Sequence, residues 1–165
     1  MSPRRTRVNS KRTIRKAEAS ELPELMGLAA RAMGPDRTLS LEEEFPRDRT
    51  RLWVACLDGR PRGYVLAWSV AGETEILEIA VDPSARRCGL GKALIRQLAQ
   101  DARDAGDERL LLEVRSSNQA ALALYKTMGF EEGGLRRAYY RNPTEDAVLM
   151  HWVLGSNHES EDNGG

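Results

Sequence analysis

Glu113 stands in Leu110-Leu111-Leu112-Glu113-Val114, an otherwise apolar run. A carboxylate in such a strand is costly unless it is paired, reaches a cleft or has its pKa raised. A raised pKa would bring it toward the range of a general base at neutral pH. A salt bridge to Arg115 or Arg136 would account for it equally well, and strand context alone leaves both readings open. Tyr125 follows at helical spacing with Ala121, Leu124 and Met128. By spacing it reads first as a core tyrosine, yet a phenol, with an ordinary pKa of ~10, can also serve as a general acid.

A third group is the basic loop Arg86-Arg87-Cys88-Gly89-Leu90-Gly91, followed by Lys92. The apolar run Ile76-Leu77-Glu78-Ile79-Ala80-Val81 precedes it, and Asp82-Pro83 stops that run. After the loop, Leu90, Leu94, Leu98 and Ala102 recur every fourth residue with Ile95 beside them, which predicts a helix. Strand, glycine loop and helix N-terminus together favour a phosphate, because free N–H groups and the helix dipole meet there and glycine lets a ligand approach. A Walker loop would need a glycine where Arg86 stands and a Ser or Thr in place of Ala93. A dinucleotide fingerprint would need a third glycine in place of Leu94. What remains is Arg-x-x-Gly-x-Gly at Arg86, Gly89 and Gly91, which an ordinary strand-to-helix turn could also carry.

The elements that must position these residues can be read in chain order. Thr13 to Ala17 predicts a first strand, and Ser20 is a candidate cap for a helix over Glu21 to Met33 with Leu22, Leu25, Met26, Ala29 and Ala30 on one face. Gly34-Pro35-Asp36 ends it. Ser40-Leu41-Glu42-Glu43 is a capping box for a short helix stopped by Pro46. Arg51 to Leu57, Gly63 to Val70 and Thr74 to Val81 predict an antiparallel meander turned at Asp58-Gly59 and Ala71-Gly72. The long helix spans about Leu90 to Ala105, closed by Gly106, and a strand over Arg109 to Val114 follows. Asn118 caps a helix over Gln119 to Thr127, with Gly129 at its C-terminus. Phe130 to Arg137 and Ala147 to Leu154 close the chain as a strand pair. The expected fold is α/β, one domain over residues 13–154 with a mixed sheet of about seven strands and about four helices. Residues 1–12, a basic stretch, and 155–165 read as disordered tails.

Composition narrows the function. The 25 basic and 25 acidic residues cancel, so no global charge points to direct nucleic-acid binding. No apolar run approaches the ~20 residues of a membrane span, and the N-terminus lacks the apolar core of a signal peptide. Cys56 and Cys88 make neither a disulfide framework nor a zinc site, and His151 and His158 are too few for a metal cluster. The expectation is a cytoplasmic protein without metal, a monomer or weak dimer.

The glycine loop resembles the pyrophosphate loop of the GNAT superfamily of N-acetyltransferases, which bind acetyl-CoA, and the element order is similar to theirs between the two tails. Leu112-Glu113-Val114-Arg115-Ser116-Ser117-Asn118-Gln119-Ala120-Ala121, Leu124-Tyr125, Gly129-Phe130, Arg136-Arg137-Ala138-Tyr139-Tyr140 and Glu145-Asp146-Ala147 more specifically resemble the bacterial RimI family. That family acetylates the N-terminal alanine of a small-subunit ribosomal protein. The resemblance implies that Glu113 is the general base, Tyr125 the general acid and Asn118 a coenzyme A contact. It implies that Ile79, Ala80 and Val81 hold the pantetheine arm and acetyl group, along a gap where two neighbouring strands splay apart. Arg87, Cys88, Gly89, Leu90, Gly91 and Lys92 would cradle the pyrophosphate. Tyr139 and Tyr140 resemble tyrosines that line the peptide groove of related enzymes. Cys88 lies in the phosphate loop, away from the expected acetyl end, which disfavours a covalent acetyl-cysteine.

One departure bears on the acceptor. RimI-like chains usually carry Pro-Trp-Ser between the first two helices, where this chain reads Gly34-Pro35-Asp36-Arg37-Thr38-Leu39-Ser40. The expected acceptor is a protein N-terminus, that of a ribosomal protein first. Lysine side chains, small-molecule amines or a non-catalytic acyl-CoA-binding module are the alternatives.

Overall fold

The computed structural model describes residues 10–34 and 39–155. Its frame is a seven-stranded mixed sheet in the order β1-β2-β3-β4-β5-β7-β6. The strands are β1 (Arg12–Lys16), β2 (Thr50–Leu57), β3 (Arg60–Val70), β4 (Glu73–Val81), β5 (Arg109–Arg115), β6 (Glu131–Tyr140) and β7 (Glu145–Val153). The helices are α1 (Leu22–Met33), α2 (Leu41–Glu44), α3 (Leu90–Asp104) and α4 (Gln119–Met128). The expected α/β class and element order hold.

The expected meander forms because both turns take the geometry that two-residue hairpins favour. Asp58 and Gly59 have φ of 50° and 81°, and Ala71 and Gly72 of 52° and 82°. Among the described strands only β4 and β5 run parallel, with α3 as the crossover. The period read from the sequence is the buried face of α3: Leu90, Leu94, Ile95, Leu98, Ala99 and Ala102 pack on the sheet. Each large side chain there contributes roughly 1.5–3 kcal/mol. α1 and α2 cover the other face over β2, β3 and β4, and their core cluster stops there.

Four local expectations change. Ser20 is not a cap: a 3-10 turn, Ala19–Glu21, precedes α1, and the Glu21 carboxylate accepts from the Glu18 N–H at 2.9 Å. Arg15 grips the same carboxylate at 2.6 Å through both terminal nitrogens. Leu28 rather than Ala30 completes the buried face of α1, and in α4 it is Leu122 that is buried. β1 opens at Arg12, inside the stretch expected as a tail. Residues 1–9 and 156–165 of the expected tails, with Pro35, Asp36, Arg37 and Thr38 of the departing loop, lie outside the described residues. Among the described residues no helix is long and apolar enough to cross a membrane.

Candidate active site

The parallel pairing of β4 and β5 is short. It joins Glu73 to Arg109, Thr74 to Leu110 and Glu75 to Leu111, and then ends. Beyond that point β5 continues beside β7, from Leu112 opposite Met150 to Arg115 opposite Ala147. β4 stays paired only with β3, where Ile79, Ala80 and Val81 oppose Val65, Tyr64 and Gly63. The result is a fork, and among the described residues the stretch Ile79 to Val81 has no strand partner on its β5 side. An extended, amide-bearing chain could add there as a strand. The side chains still pack, Ala80 under α1 and Ile79 and Val81 toward α3. Gly63 matters to this edge: a Cβ there would stand 3.0 Å from the Ala80 carbonyl oxygen.

The loop after β4 is tied down from two sides. Asp82 accepts from the Ser84 N–H at 3.0 Å and hydroxyl at 2.7 Å, and from Arg31 of α1 at 2.9 Å. The Ser84 hydrogen bonds, then Arg31, hold its pKa down at about 2 despite burial. Arg86 donates to the Ala32 carbonyl at 3.2 Å. Arg87 and Gly89 both sit at positive φ, 67° and 73°. Left-handed residues at the head of a helix turn backbone N–H groups toward one side, which suits an anion. A cavity of about 430 Å³ opens here, lined by Val81, Arg87, Gly89, Leu90, Gly91 and Lys92, with Ala85, Arg86 and Leu124. A phosphate ester fits this cradle of basic side chains and turned backbone. Cys88 is exposed, its thiol 3.8 Å from the Arg86 carbonyl, and is not part of the cavity wall. The Asn118 side-chain oxygen accepts from the Ala121 N–H at 3.2 Å, so it caps α4 as expected.

Glu113 does not point into the core. Along β5, Leu110, Leu112 and Val114 are buried on the α3 side, and Leu111, Glu113 and Arg115 alternate to the other face. There Glu113 borders a cleft of about 300 Å³ with Glu75, Leu111, Arg136, Leu149 and His151. Of the two salt-bridge partners considered, Arg136 is the one, at 3.2 Å. Arg115 instead pairs with Glu145 at 3.4 Å and lies over the Tyr140 ring at 4.4 Å. Tyr139 and Tyr140 stack edge to face at 5.1 Å. The Glu113 charge pushes the Tyr139 phenol up, and burial does the same to Tyr140.

Tyr125 approaches from the opposite face of the sheet. It is half-buried on α4 against the α3-side core, its ring 5.7 Å from that of Phe130. Burial raises its pKa, which keeps the phenol protonated at neutral pH. Packing and proton donation are compatible, since the ring does the first and the hydroxyl the second.

Glu75, Gly63 and His151 were not read as site residues in the sequence. Glu75 carried one usable signal, its alternation with the buried Thr74 and Ile76. Among the described residues no group of three or more His, Cys, Asp or Glu is placed to hold a metal. A further cleft, about 610 Å³, lies at the far end of α3 between Lys16, Trp53 and Asp104, and none of the sequence-predicted site residues lines it.

Comparison with known proteins finds relatives in sequence and in fold. Residues 18–130 match the family model described as the acetyltransferase (GNAT) family. The chain is 34% identical over 142 residues to the [ribosomal protein bS18]-alanine N-acetyltransferase of Escherichia coli, covering 84% of this chain and 95% of that one. It is 46% identical over 78 residues to the N-alpha-acetyltransferase RimI of Mycobacterium tuberculosis, about 47% of this chain and 48% of that one. The crystal structure of the Escherichia coli enzyme superposes with a TM-score of 0.79 at 33% identity, over 89% of this chain and 98% of the other.

Proposed function

Because the chain belongs to the acetyltransferase (GNAT) family, we propose that it transfers an acetyl group from acetyl-CoA to the N-terminal α-amine of a protein. An N-terminal alanine on a small-subunit ribosomal protein is the first acceptor to consider, since that is the acceptor in the name of the Escherichia coli relative. Such an acceptor would put the reaction in the cytoplasm. The observation that carries the reading is the junction of two features: the β4/β5 fork runs from the basic cradle to a cleft that holds Glu113.

Bound acetyl-CoA supplies an acetyl thioester, and the remaining work falls to the chain. Arg87, Lys92 and the backbone from Gly89 to Gly91 hold the pyrophosphate. The edge of Ile79, Ala80 and Val81 receives the pantetheine amides, with Asn118 a further contact at the head of α4. An α-amine has a pKa of ~8 and arrives largely protonated. Glu113 takes that proton, through a water where the distance requires it. The freed amine attacks the thioester carbonyl, and a backbone N–H near Val81 faces the oxygen on which charge develops. Tyr125 gives its proton to the departing sulfur and regains one through solvent as the acetylated nitrogen sheds its second proton, and Tyr139 and Tyr140 flank the peptide.

Incubating the protein with acetyl-CoA and short peptides tests this. Free alanine N-termini should release coenzyme A, and N-blocked lysine peptides and small amines should not. Turnover confined to lysine or small amines would sink the α-amine assignment.

A further inference from the structure

We propose that Glu75 captures the positively charged amine of the acceptor and so selects free amino termini. The inference rests on the transfer reading above and adds a specificity determinant to it. β4 and β5 part at the Glu75–Leu111 pair, so Glu75 stands where the fork opens. Leu111 and Glu113 share one face of β5, and Glu75 looks into the same cleft from β4. The two carboxylates therefore address one space from two strands.

Their circumstances differ. Glu113 is engaged by Arg136 at 3.2 Å. Arg109, at the same cleft, is paired with Glu73 at 2.8 Å, and His151 lies 3.9 Å from Glu131. Among the described residues no hydrogen bond or ion pair reaches the Glu75 carboxylate. Two carboxylates thus face one guanidinium, that of Arg136, which is already on Glu113, and the cleft is one positive charge short. A half-buried carboxylate without a partner is costly, and a cation entering the cleft removes that cost. Burial and the Glu113 charge also push the Glu75 pKa up, the direction expected of a carboxylate lacking a counter-ion.

An α-ammonium supplies the missing charge. It is drawn to Glu75 as it enters the cleft and moves on to Glu113, which takes its proton before attack. The acetylated nitrogen carries no charge, so the product loses the contact that held the substrate. A blocked N-terminus is refused for the same reason.

The test is calorimetric binding of two alanine-first peptides, one free and one N-acetylated, to protein saturated with coenzyme A. Wild type should prefer the free peptide by about tenfold or more, the scale of one charge-assisted contact. Glu75→Gln should abolish the preference and raise the acceptor KM with the acetyl-CoA KM unchanged, and Glu75→Asp should restore part of it. Melting temperatures of both variants check the fold. A Glu75→Gln protein that keeps the wild-type preference overturns the proposal, as does wild type that shows none. Wild type that discriminates the peptides in binding yet acetylates no acceptor overturns the transfer reading and leaves this one standing.

Discussion

Arg136 on the edge strand β6 holds its Nε 3.2 Å from a carboxylate oxygen of Glu113 on β5, reaching across β7. The arginine side chain is 57% exposed and the glutamate 18%, so the pair adds little to stability, ~1 kcal/mol or less. Its consequence is positional: it turns the carboxylate into the cleft.

Arg136→Met should therefore leave the melting temperature nearly unchanged and lower kcat/KM roughly three- to tenfold, the scale of a half-exposed charge contact. The KM for acetyl-CoA should stay at its wild-type value. A large fall in melting temperature would make the pair structural instead.

Tyr125→Phe removes the hydroxyl and keeps the ring against Phe130. Steady-state kinetics should show kcat down by about a hundredfold with cofactor affinity preserved. Burial holds the phenol above its usual pKa of 10.0, so Tyr125 keeps its proton as pH rises through neutrality and contributes no alkaline fall in kcat below that value. An unchanged kcat in the variant would remove Tyr125 as the acid.

Gly89 sits at φ 73° at the head of α3. Gly89→Ala should force about 1–2 kcal/mol of backbone strain or a shift of the loop. Acetyl-CoA binding by calorimetry should weaken about tenfold, and Gly91→Ala, at a helical position with nothing within 4 Å of the added Cβ, should weaken it less. Equal effects from the two would argue against the turned-backbone cradle.

Asp82 ties α1 to the cofactor loop, and its folded pKa of about 2 lies below the unfolded 3.8. The sign follows: a depressed carboxylate stabilises above its unfolded pKa, and that gain disappears as pH falls through the folded value. Wild type should melt above Asp82→Asn from pH 5 to 7, and the gap should shrink below pH ~4 and be nearly gone by ~2. A gap that does not change with pH would assign the effect to packing.

Much of this arrangement was legible because it is local. The period of Leu90, Leu94 and Leu98 is a property of one helix, and Asn118 and Ser40 act on N–H groups three residues away. The glycine loop and Glu113 were visible as departures from a local pattern. The fork was expected from family resemblance and not from residue pattern, because it is a pairing that stops. Glu75 reads locally as the solvent side of a strand, and its cleft exists only once β5, β6 and β7 are laid beside β4. For Glu113 the sequence supplied both candidate partners, Arg115 and Arg136. Only the register of β6 against β7 decided between them, because Arg136 opposes Ala147 and reaches past it to β5. Ser20 misled because the competing signal, Glu18 with Glu21, was reinforced by Arg15 on a separate strand.

The central claim is transfer to an α-amine. One peptide carrying both a free N-terminal alanine and an internal lysine, incubated with acetyl-CoA and read by fragment-ion mass spectrometry, tests it most directly. The account predicts the acetyl group on the alanine nitrogen and an unmodified lysine, with the signal lost in Glu113→Gln. Acetyl on the lysine with a free alanine, or a modified N-terminus of equal yield in Glu113→Gln, would contradict it.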